Sequence, residues 1–297
     1  MKKQKFLHIG QGFIGNKVIS KLKSVGHKVN IFDLQLGQDL RNRQQVYKEI
    51  KRGKYDAVIL MAAIANLNDF EKDPLLGLDV NIGGLINVAN TCADLKTKLY
   101  FISTCCVYGN TSDLPSNENS KVEPSEIYAA AKYAGEWIIK GYHNSYDLNY
   151  VILRLSTCYG PDMRAALAPG VFINQINQGK PITIHGSGKQ TRALTYIDDL
   201  VEGIVTIINS GITNETFNVS TEEEKSVNDL VQIIKEAMGK PEWPVKHIPD
   251  RKGQTFKEQI STAKAKKLVS WQAKTTLKQG IKKTLKWMKA NNLKEIK

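Results

Sequence analysis

The chain has 297 residues, 41% of them hydrophobic and 24% charged, a balance that excludes a disordered or fibrous chain and suits one large domain, or one large and one small. Its longest apolar run, Ala57 to Ala65, is nine residues, well short of the ~20 that a membrane-spanning helix needs. The net charge of +13 is uneven, with fourteen Lys and Arg against two Glu from Arg251 to Lys297. With no nucleic-acid module beside it, that run reads as a solvated lysine face, or as an attractor of anionic substrates, rather than a nucleic-acid site.

The start, Met1-Lys2-Lys3 followed by Phe6 to Ile9, mimics a leader peptide, but Gly10, Gln11 and Gly12 cut the apolar stretch. A first strand over Phe6 to Ile9 is the better reading. Gly10-Gln11-Gly12-Phe13-Ile14-Gly15 follows, then an amphipathic helix to about Val25, a stop at Gly26 and a second strand from Lys28 to Phe32 ending at Asp33. A G-x-G-x-x-G set between strand and helix is the phosphate-binding turn of a dinucleotide fold: the glycines permit close backbone approach, and the helix N-terminus faces the pyrophosphate. Asp33, eighteen residues after Gly15, is placed to bind the adenosine ribose hydroxyls and to repel a 2′-phosphate. Leu34, Gln35 and Leu36 add no cation, so NAD is expected rather than NADP. The alternative for Asp33 is a turn residue.

Ala57 to Ala63 reads as a third strand. Asp73-Pro74 supplies an N-cap and a proline at the first helical position, opening a helix that carries Asn81, Gly83 and Gly84. Leu99 to Ser103 is a further strand with Thr104 at its end. Ser125 is expected to cap the next helix, and Tyr150 to Leu155 is again a strand. This alternation predicts an α/β fold with a doubly wound parallel sheet of Rossmann type, catalytic groups lying at the carboxyl ends of its strands. On the helix after Ser125, Tyr128 and Lys132 stand at i and i+4, about one turn apart on one face. An ammonium held beside a phenol stabilises the phenolate, which makes a base for a sugar or alcohol hydroxyl. Four cysteines (Cys92, Cys105, Cys106, Cys158) show neither metal spacing nor a disulfide framework, so no metal is expected, and a reducing cytoplasm is.

Taken together, these motifs resemble an extended short-chain dehydrogenase/reductase of the NAD-dependent sugar-nucleotide epimerase/dehydratase family, nearly end to end. The resemblance runs through Gly12-Phe13-Ile14-Gly15, Asp39-Leu40, Met61-Ala62-Ala63, Asp73-Pro74 with Asn81 and Gly84, and Ile102-Ser103-Thr104. It continues through Val107-Tyr108-Gly109, Arg154, Tyr159-Gly160-Pro161, Gly186-Ser187-Gly188, Thr191-Arg192, Tyr196 to Asp199 and Phe217-Asn218-Val219, and ends on Arg251 and Leu268 to Trp271. It implies that Thr104 hydrogen-bonds the reacting oxygen, that Tyr128 is the acid/base, and that Lys132 tunes Tyr128 and holds the nicotinamide ribose. Asp39 and Leu40 fall on the adenine pair. Gly10, Phe13, Ile14, Ala62, Ala63 and Asn81 fall on the rest of the cofactor site.

Arg192 and Arg251 fall on the pair that grips the substrate diphosphate, a task suited to guanidinium geometry. Thr157 replaces a frequent substrate-contacting Asn, Ile9 a usual glycine and Leu60 a usual His. The resemblance further implies an NAD domain over residues 1–157 and 194–220, a nucleotide-sugar domain over 158–193 and 221–297, and a homodimer through the helices carrying Asn81 and Tyr128. Arg164 and His185 lie in pocket-lining segments, with no chemistry assigned to His185.

The family's dehydratases place Asp-Glu just after the catalytic Thr, and its decarboxylases a Glu; here Cys105 and Cys106 stand there. Cys106 matches a 3,5-epimerase position, yet the segment from Met163 to Pro169 lacks the His or Lys that would accompany it, so a structural thiol is expected. What remains is a 4-epimerase acting on a nucleotide-linked hexose of the UDP-glucose/galactose kind through a transient 4-keto sugar. A nucleotide-4-keto-6-deoxysugar reductase is the alternative. A catalytically silent NAD-binding protein would be expected to have lost part of the triad, which is intact.

Overall fold

The computed structural model describes residues 3–250 and 255–296. The chain opens with β1 (Lys5–Ile9), α1 (Phe13–Ser24) and β2 (Lys28–Phe32), followed by α2 (Arg43–Gly53) and β3 (Ala57–Leu60). Then come α3 (Leu67–Lys72), α4 (Pro74–Leu78), α5 (Gly84–Asp94), β4 (Lys98–Thr104), α6 (Ile127–Tyr146) and β5 (Tyr150–Leu155). The remaining elements are β6 (Thr157–Tyr159), α7 (Ala168–Asn177), β7 (Ile182–His185), β8 (Thr191–Tyr196), α8 (Ile197–Asn209), β9 (Glu215–Val219), β10 (Glu224–Ser226), α9 (Val227–Ala237), β11 (Val245–Ile248), α10 (Ala263–Val269) and α11 (Leu277–Ala290).

Six strands form one sheet in the order β2-β1-β3-β4-β5-β9, every pair parallel. β3 and β5 are buried along their whole length, which is why they read as near-continuous apolar runs. Helices cover both faces. Leu7, Val46, Ile50, Leu85, Val88 and Ile139 pack on one side. On the other, Phe6, Val18, Leu22, Ile204, Tyr159, Trp271 and Ile281 belong to one core that also reaches the smaller sheets β10-β8-β6 and β11-β7. Because β2 lies on one side of β1 and β3 on the other, the strand order reverses there and opens a crevice at their carboxyl ends.

Two local expectations need correction. The third strand ends at Leu60 rather than Ala63: the amides of Met61 and Ala62 both turn onto the Ile9 carbonyl, at 2.9 and 2.8 Å, folding the chain across the crevice. Ser125 does not cap α6, because Glu126 is still extended (φ −130°, ψ 148°) and the helix begins at Ile127 with no side-chain cap. Asp73 does cap α4, accepting from the Leu76 amide at 3.0 Å with Pro74 at the first position. A π-helical turn over Asp79–Gly83 then joins α4 to α5.

Candidate active site

A cavity of about 470 Å³ fills the crevice. Its wall includes Gly10, Gly12, Phe13, Ile14, Gly15, Asp33, Asp39, Leu40, Ala62 and Ala63, so nearly all of the cofactor residues expected from sequence converge. Gly10 has φ 102°, and a Cβ there would lie 2.5 Å from the Ala62 amide nitrogen, so only glycine lets the two loops touch. Gly12, by contrast, has nothing within 4 Å of the Cβ position. It begins α1 without a side-chain cap, leaving the first-turn N–H groups directed at open space, a cradle that fits a pyrophosphate.

Asp33 serves two ends. Its Oδ2 accepts from the Gln11 amide at 2.6 Å and its Oδ1 from Gln35 at 2.8 Å, which closes the turn, and each oxygen keeps a lone pair for a ribose hydroxyl. Asp39 is held by Arg41, whose Nη2 lies 2.6 Å from Oδ2. That contact keeps the Asp39 carboxyl below its ordinary range. Arg41 itself lines the cavity, a cation that local sequence reading missed because it sits in an aperiodic loop. Asn81 is absent from the cavity wall. Its amide receives the Ile64 N–H at 2.9 Å and donates to the Ile64 carbonyl at 3.1 Å, pinning the loop that forms the wall.

A second cavity, about 330 Å³, adjoins the first and shares Phe13, Ile14, Met61, Ala63 and Arg164 with it. Thr104, Tyr128, Lys132 and Thr157 all line it. β4 delivers Thr104 at its carboxyl end, and α6 delivers Tyr128 and Lys132 one turn apart. Lys132 donates to the Ile102 carbonyl at 2.8 Å. Burial pushes its pKa down to about 8, with Glu136 one turn further along opposing. Burial drives the Tyr128 phenol upward, with Cys106 and Glu126 adding to the rise, while Arg164 and the Thr104 hydroxyl pull it down. The foremost cation acting on the phenol is thus Arg164, carried by the loop between β6 and α7. Cys106 also lines this cavity. Burial, and Glu258 after it, push its thiol up to about 11, so it stays protonated near neutrality and is no base.

Arg192, on β8, is not in the wall of either cavity. Its Nη1 donates to the Thr191 carbonyl at 2.7 Å and its Nε lies 4.0 Å from Glu258. Arg251 lies outside the described residues. His185 has Nδ1 3.0 Å from the Pro249 carbonyl, a satisfied polar residue. Among the described residues no cluster of His, Cys, Asp and Glu could hold a metal, and no helix is long and apolar enough to cross a membrane.

Residues 10–220 match the NAD dependent epimerase/dehydratase family. The chain belongs to this family. NAD is its cofactor, in agreement with the Gly12 cradle and with Asp33. A putative UDP-glucose 4-epimerase from Methanocaldococcus jannaschii is 32% identical, over 95% of this chain and 97% of that protein. A UDP-glucuronate 4-epimerase from Thermodesulfobacterium geofontis is 31% identical, over 85% and 78%. Among solved structures, the UDP-glucose 4-epimerase of Thermotoga maritima with UDP-glucose superposes with a TM-score of 0.90 at 26% identity, covering 97% of this chain and 99% of the other.

Proposed function

We propose that this family member is an NAD-dependent 4-epimerase of a nucleotide-linked hexose of the UDP-glucose/galactose kind. One observation carries the reading: Thr104, Tyr128 and Lys132 converge on a cavity continuous with the cofactor crevice, and among the described residues its wall holds no carboxylate and no imidazole. Elimination and decarboxylation need such a second acid or base; interconversion at C4 does not. The 4-epimerase names of the relatives support the same reading.

In this mechanism Thr104 hydrogen-bonds the C4 oxygen and Tyr128 takes its proton, then returns it once the sugar has presented its other face. Bound NAD supplies the acceptance and return of hydride. Lys132, fixed by the Ile102 carbonyl, and Arg164 provide the positive field that a buried phenol needs in order to ionise. Thr157 contacts the sugar, and Arg192 with Arg251 takes the diphosphate. The nucleotide sugar then lies between residues 1–157 with 194–220, which hold NAD, and residues 158–193 with 221–297. α5 and α6, which expose Ile86 and Trp137, would pair two copies of the chain in a cytoplasmic homodimer.

Arg41 favours a second reading, a 4-keto-sugar reductase, since a cation in the cofactor wall suits the 2′-phosphate of NADPH. Against it, Arg41 is already bound by Asp39 and Asp33 occupies the ribose end. The test starts from protein purified without added cofactor: released NAD is quantified after denaturation, and C4 stereochemistry is followed by NMR across a panel of nucleotide hexoses. Near-stoichiometric NAD and C4 inversion are expected, with Tyr128→Phe slowing turnover by about 10³-fold. An empty cofactor site, no inversion, and reduction of a 4-keto sugar would replace the epimerase with the reductase.

A further inference from the structure

Glu258 is a carboxylate that the proposed reaction does not use, and its surroundings are unusual. It is 8% exposed, and among the described residues its buried Oε1 has no hydrogen-bond partner. Its other oxygen faces Arg192 Nε at 4.0 Å, the outer limit of an ion pair, and the Ala193 N–H is also directed at the carboxylate. Arg192 is only half committed: one nitrogen is spent on the Thr191 carbonyl, and its side chain remains 26% exposed. A guanidinium held this loosely can leave, whereas the carboxylate cannot follow it into solvent.

We propose that Glu258 is a positioning residue for Arg192: it holds the guanidinium in place in the free protein and takes up a proton when a nucleotide diphosphate draws Arg192 away. This rests on the reading of Arg192 as a diphosphate ligand. A buried carboxylate that loses its cation is costly to keep ionised, and the inexpensive remedy is protonation. Among the described residues, the groups around it leave Arg192 as the mobile charge; Tyr108, in the same cavity wall, has its hydroxyl engaged by Arg154 and Asn218. Cys105 and Cys106, from the turn after β4, are thiols pushed up by burial and stay neutral. Glu224, from β10, is bound to Thr191 and Gln259, and Lys257 is the neighbour along the chain. Burial already pushes the Glu258 carboxyl up to about 7, with Arg192 and the Ala193 amide opposing. Removing Arg192 and adding an anion both raise it further, so the exchange falls near neutral pH. Diphosphate binding should therefore weaken as pH rises above about 7, by up to about tenfold per pH unit, until the carboxylate is ionised in both states.

The test is calorimetry of UDP-glucose binding to the full-length protein as purified, near neutral pH, in two buffers of different ionisation enthalpy. The diphosphate of UDP-glucose exchanges no proton of its own there, so a buffer-dependent heat reports protein groups. The wild type is expected to take up at most about half a proton at pH 7, rising toward one about a pH unit higher. Glu258→Gln is expected to take up none and to bind with a pH-independent affinity. Absence of uptake in the wild type overturns the proposal whether or not the variant folds, and equal uptake in a folded Glu258→Gln also overturns it. C4 inversion without proton uptake sinks this inference and leaves the epimerase standing. Uptake without inversion does the reverse, and failure of UDP-glucose to bind sinks both.

Discussion

Two carboxylate–guanidinium pairs of the molecule, Glu136 with Arg154 and Glu258 with Arg192, are built in opposite ways. In the first, Arg154 donates Nε to Glu136 Oε1 at 3.0 Å and Nη2 to Oε2 at 2.7 Å, and Ser103 adds a third bond to the same carboxylate at 2.5 Å. The other side of Arg154 donates to the Tyr108 hydroxyl at 2.9 Å, which donates in turn to Asn218 at 2.7 Å. Asn218 continues to the Ser261 carbonyl at 3.0 Å. This closed network ties α6, one turn beyond Lys132, to β4, β5, β9 and the segment before α10. The second pair, Glu258 with Arg192, has one long contact and an orphan oxygen. A buried ion pair with both carboxylate oxygens hydrogen-bonded fixes its elements in register; one left half-met is free to exchange partners. Lys132, the proposed catalytic lysine, lies one turn from the first kind of pair, and Arg192, the proposed diphosphate ligand, belongs to the second.

The contrast breaks if the two pairs respond alike to loss of charge. Glu136→Gln leaves Arg154 buried without a counter-charge, and a loss of about 3–5 kcal/mol in urea unfolding is expected. Glu258→Gln strands no buried cation, since Arg192 reaches solvent. Its expected effect is a gain, and it depends on pH. The Glu258 carboxyl sits at about 7 in the folded protein against an ordinary 4.5, so the native state binds more protons between those values. Wild-type stability should fall as pH rises through that window, on the order of 3 kcal/mol in all, and Glu258→Gln should remove the slope. An unchanged slope in the variant would assign it to other groups.

His8 sharpens the same comparison from the acid side. It is fully buried on β1, among the described residues neither ring nitrogen has a well-formed hydrogen bond, and burial pushes its pKa from 6.5 down to about 4, with the nearby Gly10 backbone and Asp33 opposing. Here the unfolded chain binds more protons, so the stability present above 6.5 is lost as pH falls toward 4, by an amount on the order of 3 kcal/mol. His8→Val should flatten that acid limb in the same urea series, and retention of the full slope would exclude His8 as its source. The smallest effect is expected from Ser103→Ala, which removes one of three bonds to Glu136 and should cost about 1–2 kcal/mol. A loss as large as that of Glu136→Gln would mean that the network is less closed than its geometry implies.

Sequence alone determined the strand–turn–helix–strand opening, the glycine turn and Asp33 of the cofactor cavity, and the Tyr128–Lys132 spacing. These depend on residues near one another along the chain, where glycine conformations, helical period and apolar runs leave a local mark. Ser125 shows the limit even there: its side chain suits a cap, but the backbone at Glu126 stays extended, and α6 starts one residue later than a Ser125 cap requires. Tertiary structure alone decided which charges share a site. Arg41 enters the cofactor wall from an irregular loop, Arg164 reaches Tyr128 from beyond β6, and Asn81 spends its amide on Ile64 rather than on the cavity. Glu258 sits against β8, where its amide meets the Thr191 hydroxyl 67 residues away in sequence. No periodicity encodes such meetings, because burial and charge pairing arise only when distant segments close over one another and exclude water.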